Sequence, residues 1–490
     1  MSNKSFLFIN FATCGKTIQE NNYKTAYLFG LLMNDPPFSM VKNNSELFYE
    51  RFKSIPFKPV KWPFFYGWVI IFAGITGMIM SIPGQTIGVS VFTDPLIEAL
   101  DIGRVNLSTA YMIGTILSGL CIPFAGRMYD KYGVRPVIMI AGILMGLTLL
   151  YLSRIVDVAL FVSVVFSSVN TAIIAFVLIT AGFFSLRFFG QGVLTMTSRN
   201  MVMKWFEKKR GFANAIVGIT ISFGFSYSPQ VIDMLIDNIT WQGAWKLLGM
   251  ISGGFVLFAF IFFRDNPRMY GLVPDGRKKK HKGGDDPNLP LLKEYTLKEA
   301  RSTYSFWIFN LSLALQALYI TAFTFHVISV FRVNGYDHNT AITIFLPASV
   351  VAVLFHFFGS WLSDYMKLKY FLLLELTGMI ISMSALIFLD FSPAMRWVLI
   401  SGNGIMQGMF GVISAVTWPR FFGLKHLGAI SGYVMSWTVI GSAVGPFIFS
   451  LSYRMTGQYT IATLFCIVIA VVLFILGLRA DNVNRPEIDD

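Results

Sequence analysis

Charge is scarce in this sequence. Asp, Glu, Lys and Arg make up 13% of its 490 residues, about half the share of a soluble protein. Hydrophobic residues make up 55% and Phe alone occurs 48 times, so too little polar surface remains to cover a water-soluble body of this size. Cysteine is nearly absent: Cys14, Cys121 and Cys466 lie far apart without a CxxC pair, which argues against a disulfide framework or a zinc site. The sequence has no GxxxxGKS/T phosphate loop, no HExxH and no spaced nucleophile–base pair. An ATP-driven pump and a membrane enzyme are therefore left without support. The net charge of +13 raises the question of nucleic acid, but most basic residues sit in short connections between apolar runs, where they set orientation. No nucleic acid, metal or cofactor is expected.

What the sequence has in plenty is long apolar runs. A bilayer core needs about 20 apolar residues per helix. Such runs fall near 66–91, 105–126, 135–153, 173–202, 212–235, 244–263, 304–329, 341–362, 370–389, 395–418, 429–452 and 458–478. Twelve spans predict an all-α membrane protein. With the N-terminus inside, cytoplasmic segments carry about 31 of the 39 Lys and Arg. The external loops carry Arg104, Arg154, Lys246, Arg332, Arg396 and Arg454, one each, while Arg187 and Arg199 fall inside the fourth span. Both termini are then cytoplasmic, in a multi-pass protein of the cell (inner) membrane.

The organisation follows: a cytoplasmic extension over 1–64, a six-helix bundle over 65–263, a cytoplasmic linker over 264–303, a second bundle over 304–478 and a tail over 479–490. The extension lacks a signal-peptide pattern, and Met40 is an alternative start. Arg277, Lys278, Lys279 and Lys280 make the linker basic. It is either a solvated connection or a contact for lipid headgroups or regulation.

The two halves look like copies. Gly126, Asp130, Gly133 and Arg135 end the second span, Ser360 and Asp364 end the eighth, and the aspartates are 234 residues apart. Gly211, Gly224 and Pro229 in the fifth span match Gly428, Gly441 and Pro446 in the eleventh, each pair 217 apart. The shorter offset places about 17 extra residues in the first half, around 155–171, as an external interfacial or re-entrant piece. A six-plus-six repeat is the usual build of secondary transporters, with the solute site between the halves.

The Gly126–Arg135 stretch resembles the G-x-x-x-D-x-x-G-x-R loop motif of the major facilitator superfamily. That resemblance implies two pseudo-symmetric six-helix bundles. It also implies a gate in which Asp130 faces the N-terminus of the eleventh helix near Gly428 when the cytoplasmic side is closed. Gly126 then allows close approach and Gly133 a tight turn. Arg127, Lys131 and Arg135 keep the loop cytoplasmic, and Asp364 marks the second copy. Tyr66-Gly67-Trp68, Ser90 through Leu96, Arg104 through Ser108, Asn266-Pro267 and Gly428 through Gly432 resemble monocarboxylate carriers and oxalate–formate exchangers. That branch uses a basic residue in helix eight with another in helix one or eleven. Here those spans hold no Lys or Arg, so its carboxylate clamp does not carry over and oxalate is disfavoured.

Polar residues inside the spans are the candidate site. Arg187 leads, with Gln191 and Thr195 following at i+4 steps on the same face. A guanidinium can hold a carboxylate by two parallel hydrogen bonds; alternatively it braces the bundle on helix-end carbonyls. Arg199 can snorkel to the inner face. Gln85 follows Pro83-Gly84, where a broken helix would expose carbonyls. Asn403 and Gln407 share a face of helix ten, either lining a cavity or packing beside its glycines. Proton coupling needs a titrating group in the membrane, for which His326, His356 and Glu375 are candidates. Each has the alternative of a hydrogen bond between helices or, for Glu375, pairing at the interface.

The sequence thus points to a monomeric secondary transporter in the lipid bilayer. It would move a small organic solute, foremost a monocarboxylate-type anion, by alternating access with proton coupling or exchange. A transporter-like sensor, or a carrier of a neutral or cationic solute, stays open.

Overall fold

The computed structural model describes residues 55–276 and 293–483. The chain divides into two compact units, Met1–Lys61 and Trp62–Asp490. In the first, the described residues contain one short 3-10 turn, Pro59–Lys61. The Met40 alternative and the basic run 277–280 lie outside the described residues.

The second unit is a helical membrane body. Among the described residues, ten of its helices are long and apolar enough to cross a bilayer. One of them, Arg210–Phe262, is spans five and six joined across a kink at Ile239 and Thr240, where Thr240 sits at φ 65°. The first span is broken, running Gly67–Ile79, a turn Ile82–Gly84 and a short helix Thr86–Ser90. With it the spans number twelve among the described residues, as the apolar runs predict. The piece Ile155–Val165 has 11 residues. At 1.5 Å per residue it reaches about 16 Å, half the thickness of the hydrocarbon core.

The remaining spans are Arg104–Tyr132 (two), Val134–Leu152 (three), Thr171–Trp205 (four), Tyr304–Val333 (seven), Phe345–Leu362 (eight), Leu368–Ile387 (nine), Ala394–Phe422 (ten), Leu427–Thr456 (eleven) and Thr460–Gly477 (twelve). Leu120, Phe124, Leu147, Val177, Leu257 and Phe447 are each more than half exposed. An apolar outer face is what a bilayer solvent requires, while backbone hydrogen bonds are satisfied inside each helix.

Two packings cross between the halves and are related by the repeat: span two along span eleven, and span five along span eight. Their closeness depends on glycine. A Cβ on Gly126 would lie 2.1 Å from the Gly428 carbonyl oxygen, and one on Gly428 would lie 2.4 Å from the Gly126 oxygen. No larger residue fits on either side of that crossing.

Candidate functional site

The site begins where span one breaks. Pro83 cannot donate a backbone hydrogen bond, and after Gly84 the chain turns extended at Gln85 (φ −84°, ψ 155°). The break frees the Gly84 carbonyl and presses it on span four. A Cβ on Gly84 would lie 2.7 Å from the Gly190 Cα. Span four answers with a π-helical stretch, Arg187–Leu194, between two α-helical pieces. Such widened turns recur at functional sites.

Arg187 is 1% exposed, and its Nη1 donates to the freed Gly84 carbonyl at 3.2 Å and to Thr86 Oγ1 at 3.2 Å. Its guanidinium carbon lies 5.3 Å from the centre of the Tyr111 ring. Tyr111 also donates its hydroxyl to Thr86 Oγ1 at 3.0 Å. No carboxylate pairs with Arg187 among the described residues, and its Nε is buried without a partner. Gln85 donates to Ser81 Oγ (3.0 Å) and Thr195 Oγ1 (3.1 Å), and Thr195 donates to Ser81 Oγ (3.1 Å). Gln85, Arg187 and Thr195 are thus held together at the break.

A cavity of about 250 Å³ lies between the halves. Thr86 and Gln191 form one wall; Gln316, Thr321, Gln407 and Thr438 form the other. Its lining carries no charged side chain. Gln191 Oε1 is buried without a hydrogen-bond partner among the described residues. Arg187 does not line the cavity: it stands one hydroxyl behind it, through Thr86. Asn403 is also outside, because it accepts from Ser382 Oγ at 2.9 Å while Ser382 meets the Tyr319 hydroxyl at 2.8 Å. Asn403 therefore ties spans seven, nine and ten, and the shared face with Gln407 is divided between packing and cavity.

The three titratable candidates are dispersed. His326 Nε2 donates to the Pro446 carbonyl at 3.0 Å and lies 3.2 Å from Ser450 Oγ, joining spans seven and eleven. His356 occupies a slot between Gly218 and Gly411, where a Cβ would come within 2.1 Å and 2.5 Å of its ring. Its Nε2 lies 3.1 Å from Asn214 Nδ2, across the halves. Glu375 is wholly buried in span nine, and neither carboxylate oxygen has a hydrogen-bond partner among the described residues. The interfacial pairing considered for it is not found there. None of the three lines the 250 Å³ cavity.

The face that carries the linker is shut by a symmetric pair of contacts. Asp130 accepts from the Gly428 and Ala429 backbone N–H groups, both at 2.7 Å. Asp364 accepts from Gly211 N–H at 2.8 Å and Phe212 N–H at 3.1 Å, and also meets Arg420 Nη2 at 3.3 Å. Each carboxylate caps the positively polarised end of a helix in the opposite half. Burial raises the Asp364 carboxyl above the usual aspartate value, against the pull of those N–H groups and of Arg420. Gly133 takes φ 81° at the turn. Arg127 is exposed, while Arg135 is buried and donates Nε to the Phe263 carbonyl at 3.3 Å, fastening span three to the end of span six.

Several contributors were not singled out in the sequence: Thr86, Tyr111, Gln316, Asn214 and Arg420. Gln316 offered a signal in the sequence, a polar side chain deep in an apolar run. Arg199, expected to snorkel, donates to Ser414 Oγ at 3.1 Å in the other half.

Residues 69–446 match the profile of the Major Facilitator Superfamily. A probable sulfoacetate transporter of Cupriavidus necator, SauU, is 24% identical over 191 residues. The match takes in 35% of this chain and 40% of that relative's length. The solved proton:xylose symporter XylE, bound to 6-bromo-6-deoxy-D-glucose, superposes with a TM-score of 0.59 at 15% identity, over 84% of this chain and 95% of that one. A bacterial homologue of the iron transporter ferroportin in its outward-facing state gives 0.55 at 14% identity, over 84% and 99%. At those identities the two structures speak for the fold alone.

Proposed function

Since the chain belongs to the Major Facilitator Superfamily, we propose that it is a secondary transporter whose solute is a small organic anion of the monocarboxylate type. The solute would be moved by alternating access, with proton coupling or exchange, by a monomer in the inner membrane whose linker face is cytoplasmic. The observation that carries this reading is Arg187, a buried cation beside the cavity with no carboxylate to balance it among the described residues. An unpaired buried charge costs several kcal/mol, and an anionic solute would offset that cost on arrival. Thr86 connects the two. Its oxygen accepts from Arg187 and from Tyr111, so its own proton is left to donate into the cavity. The guanidinium then acts on the solute by its field and through that hydroxyl, not by a two-bond fork. Gln191, Gln316 and Gln407 offer neutral partners for the rest of a small molecule. The likeness to a probable sulfoacetate transporter supports an organic anion in general, since sulfoacetate carries a sulfonate beside its carboxylate.

The test is thermal stabilisation of the purified protein by monocarboxylates, dicarboxylates, amines and sugars, with Arg187→Gln alongside. A rise with monocarboxylates that vanishes in the variant supports the reading. A rise only with neutral or cationic solutes makes Arg187 a brace on the Gly84 carbonyl and overturns the anion assignment. Uptake into proteoliposomes separates a carrier from a transporter-like sensor.

A further inference from the structure

A second, larger cavity of about 1020 Å³ opens on the linker face where the halves meet. One wall, from the turn before span five, presents Lys208, Lys209 and Phe212; the other, where span eight leads into span nine, presents Trp361, Met366 and Lys367. Every carboxylate in its lining is already engaged. Glu207 lies 3.8 Å from Arg268, Asp364 caps span five and meets Arg420, and Asp481 lies 3.0 Å from Lys369 and 3.8 Å from Lys367. Nearby, Asp275 accepts from the backbone N–H groups of Glu207, Lys208 and Lys209 at 3.0–3.2 Å, which engages it with the helix end. The ammonium groups of Lys208 and Lys209 meet no carboxylate among the described residues, and both residues are exposed. Two positive charges are left over in a pocket with an apolar side.

The level of the pocket is marked by aromatic rings. Trp361 is 47% exposed and Tyr365 74% exposed, at the end of span eight where the apolar run stops. Exposed Trp and Tyr at span ends sit at headgroup depth. Phosphate is the anion of that layer, and ammonium groups hold it by charge-assisted hydrogen bonds.

We propose that this cavity binds a phosphate-bearing anion at Lys208 and Lys209 of the first half, reaching Lys367 of the second, which it shares with Asp481. Such an anion touches both halves and therefore binds better when the linker face is closed, so it shifts the population toward that state. Phosphate reaches the site either as a phospholipid headgroup or as a soluble anion, and two arms of one experiment separate them.

The full-length protein is placed in phosphatidylcholine nanodiscs, then in nanodiscs carrying phosphatidylglycerol. In a second arm, inorganic phosphate is added to the phosphatidylcholine sample. Wild type, the double variant Lys208→Gln/Lys209→Gln and the off-site control Lys425→Gln are compared by Tm. A rise of about 3 °C with phosphatidylglycerol, kept in the control and lost in the double variant, supports a headgroup site. The same pattern with inorganic phosphate alone supports a soluble-anion site. An equal rise in the double variant and wild type, or no rise in either arm, overturns the proposal. Native mass spectrometry of wild type gives a reading independent of the variants: phosphatidylglycerol retained no better than phosphatidylcholine, together with no bound phosphate, also overturns it.

Discussion

At the scale of single residues, the site rests on Thr86 and on carboxylates that hold helix ends. Replacing Thr86 by Val keeps the shape of the side chain but removes the hydroxyl that Arg187 and Tyr111 both engage. Losing a hydrogen bond to a charged group costs about 1.5–3 kcal/mol, so solute affinity in Thr86→Val should fall at least about tenfold by calorimetry. Unchanged affinity would remove Thr86 from the site. Asp130→Asn leaves the geometry near Gly428 but takes away the charge opposite the end of span eleven. A charge at a partly buried helix end is worth up to about 2 kcal/mol. Transport rate should therefore change more than ligand affinity, and unchanged rate with lost affinity would contradict the gate. Glu375 poses a different question, since a wholly buried carboxyl group with no hydrogen-bond partner among the described residues is costly in an apolar span and marks a functional candidate. If it carries the coupled proton, Glu375→Gln abolishes pH-driven accumulation in proteoliposomes while solute exchange persists. Full accumulation in the variant would exclude it.

At the scale of elements, two irregular stretches make one device. Span one breaks at Pro83 and Gly84, span four widens into a π-helix at Arg187, and the two touch through Gly84 and Gly190. A methyl group at Gly84 would meet the Leu186 carbonyl oxygen at 2.4 Å. Overpacking of this kind costs typically about 1–3 kcal/mol, so Gly84→Ala should lower Tm and weaken solute binding together. The proline before a glycine was visible in the sequence, and it pointed to Gln85. The π-helix was not visible, because Arg187 through Leu194 reads as uninterrupted helix until a partner surface decides its winding. The crossing of spans two and eleven was half legible. Gly126 and Gly428 were each marked by the repeat, but only packing shows that each fills the other's missing Cβ. Gly126→Ala should separate the linker-face ends of those spans, which spin-label distances between the two ends would register. An unchanged distance would show that the crossing tolerates a side chain.

At the scale of the whole molecule, the repeat becomes a pair of gates. Asp130 caps span eleven and Asp364 caps span five, one contact in each direction across the halves. Because the two are equivalent, neither variant alone opens the linker face fully. Combining Asp130→Asn with Asp364→Asn should open it by more than either change does. A double variant no more open than the singles would show one contact to be idle.

The twelve spans, the duplication and the aspartates at the span ends were determined by the sequence itself. They depend on runs of about 20 apolar residues and on breakers at equal offsets, and those are properties of neighbours along the chain. The tertiary structure decided what no local pattern contains. It placed Arg187 behind Thr86 instead of in the cavity, sent Asn403 into a buried chain with Ser382 and Tyr319, and left Glu375 without a partner among the described residues. It also brought Lys208 and Lys209 to a pocket shared with Lys367. For Arg187 and Asn403 the physical reason is the same. A polar side chain in an apolar span is costly, so its sequence announces that it must be satisfied, but the partner that satisfies it comes from another helix.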